Sequence, residues 1–495
     1  MERRTFLKIL SSAGIVSLVS PTFAMEVCKN KVSKSSSALL ESAFRNPPFS
    51  SGVYTWWHWM NGNITKDGIT RDLEAMKANG IAGYQLFEAG SGIPIGPVES
   101  LSDEWVDLIL HTLKESERLG LEFAMHNCPG WSSSGGPWIT PDKAMQIITW
   151  SETKITGGKQ VRIQLPTPKH MFDYYIDTYC LAIPANMKVI PRLSILELSN
   201  RLDKDGVLTW DVPTGEWLIM RFGQTAKDQK NKSAPSKSTG LDCDKFSTEA
   251  LDYHLNCMFK RLMPAMEKIA KHSKIGLLID SYETGDQDWT SDMPAYFEQS
   301  HGYELYPFLP VLANKIVESE ESTKRFLFDF RRVRADMFAE RYYGHFQKRC
   351  KEKGIITYTE PYGGNMMEEL QVAQQLDINM GEFWCGQTVL WANYKYNRTV
   401  KQVASIAHTL GGKVVGAEAF TSEPDADKWL QYPYALKSLG DYMFTRGLSR
   451  IYFHRFAHQP HPTAAPGMTM GAWGLHFDRT NTWWKPGKAW IEYLN

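Results

Sequence analysis

The stretch Ile275–Trp289, which reads IGLLIDSYETGDQDW, changes from apolar to acidic within a few residues. Ile275–Ile279 is the short apolar run typical of a strand buried on both faces, and it ends at Asp280. Carboxylates interleaved with aromatic rings then follow, namely Asp280, Glu283, Asp286 and Asp288. Because α/β proteins place their chemistry at the C-terminal ends of parallel strands, the stretch is either an acidic surface loop or part of an active site.

The same pattern, an apolar run closed by polar or aromatic residues, recurs along the chain. The runs end at or just before Trp57, Glu88, His126, Asp280, Glu360, Glu382, Glu418 and His454. Amphipathic helical stretches, several of them closed by a glycine, separate the runs. Eight strands alternating with helices predict a (β/α)8 TIM-like barrel. A doubly wound sheet would need a Gly-rich phosphate turn after the first strand, and the sequence has none there.

The segment between the third and fourth strands has a different texture. Residues 151–239 contain short alternating runs broken by Pro and Gly, and they close with the Lys/Ser-rich loop Lys227–Thr239. This pattern predicts a small antiparallel β unit inserted after the third strand. The catalytic barrel is then expected to comprise residues 48–150 and 240–495.

The amino-acid composition indicates which class of molecule the chain binds. Lys+Arg and Asp+Glu both number 55, so the formal charge is zero, and the absence of a basic stripe argues against nucleic acid. Aromatic residues make up 12% of the chain, including 17 Trp, and many lie beside Gly, His, Asn or Glu. Such rings stack on the apolar faces of sugars, so the composition favours a carbohydrate substrate.

The N-terminus has the features of an export signal. Arg3-Arg4-Thr5-Phe6-Leu7-Lys8 resembles a twin-arginine motif, and the apolar run that follows is too short to span a bilayer. We therefore expect a signal over residues 1–24, a Ser-rich linker over 25–47, and a periplasmic or cell-surface protein with no transmembrane segment after signal removal. The seven cysteines are scattered, without CxxC spacing, and indicate neither a zinc cluster nor a disulfide framework.

If the strands close a barrel, their C-terminal ends form one mouth. Polar and aromatic side chains gather there: Trp57, His58, Glu88, His126, Asn127, Asp280, Glu283, Glu360, Glu382, Glu418, His454 and His458. Several carboxylates buried together raise the pKa of at least one of them, which allows a protonated acid to exist beside an ionised base. Glycoside hydrolysis requires such a pair. A single glutamate, taken alone, is equally well explained by a salt bridge or a helix cap.

Other chemistries fit the sequence less well. It contains no Gly-x-Ser-x-Gly elbow and no HExxH motif, and Ser132–Ser134 reads as a flexible turn. We interpret His126, His454 and His458 as hydrogen-bond donors to substrate or carboxylates rather than as metal ligands. The acidity of the mouth is compatible with a hard cation such as calcium, whose ligands the sequence does not identify.

Four motifs carry a resemblance to a known family: Thr70–Met76 (TRDLEAM), His126–Trp138 (HNCPGWSSSGGPW), Asp280–Glu283 (DSYE) and Val415–Thr421 (VGAEAFT). The second is long and compositionally unusual, which makes it the most specific of the four. With these motifs the chain resembles glycoside hydrolase family 106, the α-L-rhamnosidases, from about residue 48 to its end.

The resemblance implies removal of terminal α-L-rhamnose with inversion and a calcium ion near the sugar hydroxyls. By motif, Glu283 corresponds to the acid, Glu418 to the base and Glu382 to a third essential carboxylate. The expected substrate-binding residues are Trp57, His58, His126, Asn127, Trp131, Glu360 and His454. Family enzymes usually continue through β-sandwich domains, whereas this chain stops at Asn495. Two alternatives stay open: an exo-glycosidase of another specificity on the same barrel, and a non-catalytic carbohydrate-binding protein.

Overall fold

The computed structural model describes residues 34–495 apart from 91, 133, 271–273, 386–391, 413, 423–427 and 470–473. The expected export signal, residues 1–24, lies outside the described residues. Val53–Leu494 form one compact unit, and the segment before it contains helix α1, Lys34–Arg45. The linker expected over residues 25–47 is thus helical from 34 to 45, because Ala, Leu and Glu are strong helix formers.

The compact unit begins with three strand and helix repeats. Strands β1, β2 and β3 are Tyr54–Met60, Gly83–Ala89 and Glu122–His126. Helices α2, Lys66–Ala78, and α3, Asp103–Leu119, connect them. Both helices begin at a hydroxyl cap, since Thr65 and Ser102 accept hydrogen bonds from the backbone N–H three residues on.

An antiparallel unit follows β3, as the sequence predicted. Its strands are β4 (Gln146–Thr156), β5 (Lys159–Gln164), β6 (Ile176–Pro184), β7 (Val189–Ile190), β8 (Leu196–Glu197), β9 (Val207–Val212) and β10 (Glu216–Ala226). Four of them form a sheet in the order β4-β10-β6-β8, and β5 pairs with β9. Buried residues such as Leu208, Trp210 and Ile219 form its separate small core. The first strand of the insertion begins at Gln146, before the expected boundary at residue 151.

The chain then returns to the barrel. The remaining strands are β11 (Ile275–Ile279), β12 (Ile316–Val317), β13 (Ile356–Thr359), β14 (Ile378–Cys385), β15 (Val415–Ser422) and β16 (Arg450–Ala457). The helices are α4 (Thr248–Phe259), α5 (Met263–Ile269), α6 (Met293–His301), α7 (Leu309–Leu312), α8 (Glu320–Met337), α9 (His345–Lys351), α10 (Glu369–Ala373), α11 (Ala392–Leu410), α12 (Pro433–Thr445) and α13 (Lys488–Leu494). A π-helical turn, Phe338–Gly344, joins α8 to α9.

Eight parallel strands close the barrel in the order β1-β2-β3-β11-β13-β14-β15-β16. This confirms the predicted (β/α)8 architecture. Alternate residues of each strand face the lumen, where a compact cluster includes Tyr54, Leu278, Tyr358, Met380 and Tyr452. The other residues face the helices and join the main core. In the described part of the chain, no helix combines the length and apolar character needed to cross a bilayer.

Candidate active site

A cavity of about 540 Å³ opens at the C-terminal ends of the barrel strands. Carboxylates and aromatic rings dominate its wall. The lining residues are Trp56, His58, Phe87, Ala89, Trp131, Lys232, Ser233, Asp280, Ser281, Glu283, Glu360, Glu382, Trp384, Glu418, Thr421 and His454. The location matches the place where barrel enzymes carry out their chemistry.

The alternation of the strands explains why these side chains meet. Each polar residue lies two positions after a lumen residue of the same strand, so it continues the inward row. Leu278 is followed in this way by Asp280, Tyr358 by Glu360, Met380 by Glu382, Gly416 by Glu418 and Tyr452 by His454. The first residue of each pair packs inside the lumen, and the second is an ionisable residue that lines the cavity.

Asp280, Glu360 and Glu418 form a buried group that we call the floor cluster. Burial is the main cause that raises the pKa of all three, and it raises the pKa of Asp280 to about 8. The pKa values of Glu360 and Glu418 rise well above the usual range because neighbouring carboxylates add repulsion to the burial. At neutral pH the floor cluster therefore holds protons that isolated carboxylates would have released.

Glu418 and Glu360 are also held by hydroxyl donors. Thr421 Oγ1 donates a hydrogen bond to Glu418 Oε1, and Tyr362 Oη donates to Glu360 Oε2 at 2.7 Å. A bulge at Phe420, whose φ is +61°, shifts the register of β15 against β14. Bulges of this kind re-aim side chains near active sites, and here Thr421 reaches the cavity.

Glu382 lies beside Glu418, since the two are direct partners across the β14–β15 ladder. Its carboxylate accepts a hydrogen bond from the indole of Trp384. Its backbone N–H donates to Thr399 Oγ1 at 2.9 Å, and the same hydroxyl donates back to the Glu382 carbonyl at 3.1 Å. Helix α11 thus fixes the backbone from which Glu382 projects.

Glu283, Lys232 and Trp131 form a second group, the rim cluster, at the open side of the cavity. The Glu283 side chain is 43% exposed, whereas that of Glu418 is 11% exposed. Lys232 Nζ lies 2.6 Å from Glu283 Oε2, and Trp131 Nε1 donates to the same oxygen at 3.0 Å. Among the described lining residues, the rim carboxylate is the one that pairs with a lysine or arginine.

Three histidines line or underlie the cavity. Burial lowers the pKa of His126 and His454 to about 3 and lowers that of His58 well below its usual value. All three rings are therefore neutral at neutral pH. His454 Nδ1 lies 3.7 Å from Glu418 Oε1, and His126 Nδ1 lies 3.9 Å from Asp280 Oδ2. Within the described residues, His454 Nδ1 and His126 Nε2 have no hydrogen-bond partner.

Two of the sequence-predicted residues, Trp57 and Asn127, point away from the cavity. Trp57 belongs to the outward row of β1, and its Nε1 donates to Asp72 of α2 at 3.2 Å. The strand continues to Met60 instead of ending at Trp57. Because successive side chains of a strand point to opposite faces, Trp56 and His58 line the cavity and Trp57 does not. Asn127 is buried, and its Nδ2 donates to the Leu278 carbonyl at 3.0 Å. Its role in this structure is to join the loop after β3 to β11.

Other polar residues that the sequence gathered at the mouth also have structural partners. Glu88 faces α3 and accepts hydrogen bonds from Trp105 Nε1 and Ser100 Oγ, each at 2.8 Å. Burial raises its pKa to about 7. His458 Nδ1 lies 2.8 Å from Asp72 Oδ2 on the outer side of β1. Asp288, in the opening stretch, accepts the Ile148 N–H at 2.9 Å and so anchors the insertion.

The structure adds lining residues that the sequence reading did not select, among them Trp56, Phe87, Lys232, Ser233, Trp384 and Thr421. Strict alternation from His58 and Glu382 would have identified Trp56 and Trp384. Phe87 and Trp131 stack at 5.8 Å between ring centroids, which the sequence does not reveal. Lys232 and Ser233 come from the loop that follows the insertion, so only the tertiary structure brings them to the mouth.

The side chains of the cavity match calcium in donor chemistry but not in arrangement. The cavity offers carboxylate oxygens, which are the donors that this ion takes. Within the described residues, however, no group of three or more His, Cys, Asp or Glu side chains is arranged to hold a metal ion.

Comparison with known proteins finds relatives both by sequence and among solved structures. A Formosa agariphila protein, provisionally named a beta-glucuronidase, is 41% identical over 486 residues. A rhamnosidase from Novosphingobium sp. PP1Y superposes with a TM-score of 0.85 at 24% identity and supports the fold. Each alignment covers 92% of this chain. The chain spans 41% of the length of the Formosa protein and 60% of the Novosphingobium chain.

A family model described as alpha-L-rhamnosidase matches residues 45–178 and 169–495. The match includes the barrel, the insertion and every residue of the floor and rim clusters. The chain therefore belongs to glycoside hydrolase family 106, the α-L-rhamnosidase family.

Proposed function

We propose that the chain hydrolyses the glycosidic bond of a terminal α-L-rhamnose with inversion. The observation that carries the proposal is the difference in depth between Glu283 on the exposed rim and Glu418 on the buried floor of one cavity. A terminal sugar held in this cavity directs its leaving group towards solvent, past the rim. The acid that contacts the leaving oxygen is then Glu283, and the base is Glu418.

In the proposed reaction, a water held on the floor side attacks the anomeric carbon. Glu418 takes a proton from this water as the new C–O bond forms. Glu283 gives its proton to the glycosidic oxygen as the bond to the leaving group breaks. The released sugar has the inverted anomeric configuration, and exchange with solvent restores the proton of Glu283 and removes that of Glu418. Room for the water requires a carboxyl separation of about 6.5–9.5 Å.

The protonation of the floor cluster decides whether Glu418 can act as the base. Glu418 must be ionised to act as a base, although burial and its neighbours raise its pKa. Asp280 and Glu360 have raised pKa values too, so they can hold the shared protons while Glu418 is ionised. Glu382, next to Glu418 across the ladder, completes the carboxylate group and is the third residue we assign to the reaction.

We assign sugar binding to the aromatic and polar side chains that form the walls of the cavity. Phe87 and Trp131 present stacked rings that suit the apolar face and the methyl group of a deoxy sugar. His58, His454 and Glu360 line the cavity beside them and can bind hydroxyl groups, and His126 supports this wall from behind. Neutral imidazoles suit hydroxyl groups because each ring offers both a donor and an acceptor.

A β-glucuronidase is the second candidate, since the name of the Formosa relative suggests it. A glucuronide carries a carboxylate on its sugar, and the floor cluster would bury it against Asp280, Glu360 and Glu418. Among the described lining residues, Lys232 is the lone lysine or arginine, and it already faces Glu283. The charge of the cavity therefore favours a neutral terminal sugar.

The opposite division of roles has one observation in its favour. Burial and neighbouring carboxylates raise the pKa of Glu418, which suits a proton donor. In that arrangement Glu418 would be the acid and Glu283 the base. We prefer the first assignment because the leaving group needs a path to solvent, and Glu283 lies on that path.

Two further expectations accompany the proposal. Calcium near the sugar hydroxyls is proposed from family membership alone, and no ligand set is assigned to it, since the described residues include no group of three or more side chains arranged to hold a metal ion. Export to the periplasm or cell surface is proposed from the twin-arginine-like segment, residues 1–24.

A panel of p-nitrophenyl glycosides tests the proposed function. We expect release of nitrophenol from the α-L-rhamnoside and none from the β-D-glucuronide. Release from the glucuronide alone would overturn the rhamnose assignment. Rhamnose binding without turnover of any glycoside, unchanged by Glu283→Gln, would instead identify a non-catalytic carbohydrate-binding protein.

A further inference from the structure

Lys232 reaches the cavity from the loop that follows β10, outside the barrel proper. The neighbouring Asn231 is 2% exposed and fixes this loop: its Nδ2 donates to the carbonyls of Pro129 at 3.1 Å and Ser238 at 3.0 Å. On the other side of the lysine, the Gly90 N–H donates to the Ser233 carbonyl at 2.7 Å. The backbone of Lys232 is therefore held between two loops of the barrel mouth.

The loop after β3 also contacts Lys232 directly. The Trp131 N–H donates to the Lys232 carbonyl at 3.1 Å. Gly130 allows this approach, because it has a φ of +75° and a Cβ at its position would lie 2.1 Å from the same carbonyl oxygen. Trp131 and Lys232 are thus joined through their backbones, and their side chains then converge on one carboxylate.

Both side chains address the same oxygen of Glu283. The indole of Trp131 and the ammonium of Lys232 lie 3.0 Å and 2.6 Å from Oε2. Within the described residues, Oε1 accepts no hydrogen bond, and Glu283 lines the cavity. Two donors on Oε2 limit rotation of the carboxyl and leave Oε1 as the oxygen that can meet a glycosidic bond.

We propose that Lys232 is a positioning residue for Glu283, supplied by the loop that leads from the inserted β unit back to the barrel. The inference rests on the proposed function, because it assumes that Glu283 is the acid. Lys232 holds the carboxyl in place through its contact with Oε2. The charged and titratable groups of the same cavity are Asp280, Glu360, Glu382, Glu418, His58 and His454. Among the described residues that line the cavity, Lys232 is the lone lysine or arginine, and it contacts the acid directly.

Lys232→Met tests the inference through the dependence of kcat on the leaving group. Without the ammonium the carboxyl is less well oriented, so we expect kcat to fall by about tenfold with phenyl α-L-rhamnoside, whose leaving oxygen needs a proton, and by less than about twofold with the dinitrophenyl rhamnoside. Lys232→Arg keeps a donor to Oε2 and should restore most of the rate with the phenyl rhamnoside.

Lys230→Met is the matched control. Lys230 lies on the same loop, is similarly exposed, and pairs at 3.8 Å with Asp228 outside the cavity. Its rates with both rhamnosides should match those of the wild type. Wild-type rates in Lys232→Met, or an equal loss with both leaving groups, would overturn the inference. A loss in Glu283→Gln that does not depend on the leaving group would instead overturn the acid role of Glu283, so the two claims fail separately.

A second readout does not depend on turnover. The indole N–H resonance of Trp131, assigned by comparison with Trp131→Phe, reports the hydrogen bond to Glu283 Oε2 and should shift in Lys232→Met but not in Lys230→Met. An unshifted resonance in Lys232→Met would overturn the inference even if the wild type hydrolysed none of the glycosides.

Discussion

The rim and the floor of the cavity place the same kind of side chain in two environments. On the rim, Glu283 is 43% exposed and faces an ammonium and an indole N–H. On the floor, Glu418 is buried among other carboxylates and faces a threonine hydroxyl. The two glutamates therefore differ in their neighbours and in their access to solvent. This asymmetry is what an acid/base pair needs, and each experiment below probes one side of it.

Removal of the floor base should have the largest effect. Glu418→Gln is expected to lower kcat by about 10³–10⁴-fold on every aryl rhamnoside, because water activation is needed whatever the leaving group. Steady-state rates with nitrophenyl and phenyl rhamnosides measure this loss. A loss confined to the poorer leaving group would show that the floor residue is the acid.

Removal of the rim acid should depend on the leaving group. Glu283→Gln is expected to cost about 10²–10⁴-fold with phenol, which needs protonation as it departs, and much less with dinitrophenol. The slope of log kcat against leaving-group pKa measures the difference. An unchanged slope would remove Glu283 from the acid role, with Glu418→Gln as the comparison.

The raised pKa of Asp280 should also make the free energy of unfolding depend on pH. Burial raises the pKa of Asp280 to about 8, so the folded protein keeps a proton that the unfolded chain releases above about pH 4. The resulting stability is fully present below that pH and is lost as the pH rises towards 8. Asp280→Asn fixes the neutral form. Its free energy of unfolding, relative to the wild type, should rise by about 1–4 kcal/mol between pH 5 and pH 8 in urea titrations. A constant difference would contradict the buried, protonated floor.

Substitutions of two adjacent tryptophans of β1, one facing the cavity and one facing α2, should have the smallest effects. Trp56 faces the cavity, so Trp56→Phe should raise KM by about 3–10-fold if its indole N–H binds a sugar hydroxyl. Trp57 binds Asp72 on the outer side, so Trp57→Phe should cost about 1–3 kcal/mol of stability with KM unchanged. The reverse pattern in parallel kinetics and unfolding would show that the inward and outward rows are misassigned.

The barrel and the gathering of carboxylates at its mouth were predictable because strand alternation and strand ends are local features. Asp280, Glu360, Glu382 and Glu418 follow apolar runs, so each could be placed at the mouth from sequence alone. Trp57 lies in the outward row of β1, because the facing alternates with every residue of a strand and its neighbours Trp56 and His58 face the cavity. The partners of Glu283 were not predictable, because Lys232 lies on a loop far away in the chain and reaches the rim only through the tertiary fold.

The anomeric configuration of the first-formed sugar tests the central claim, that a rim acid and a floor base act from opposite sides. ¹H NMR of the reaction in its first minutes, before mutarotation, distinguishes the two anomers. Inversion, giving β-L-rhamnose from an α-L-rhamnoside, is the predicted result. First-formed α-L-rhamnose would contradict the account, because retention requires a carboxylate that attacks the sugar itself, at a carboxyl separation of about 5–5.5 Å.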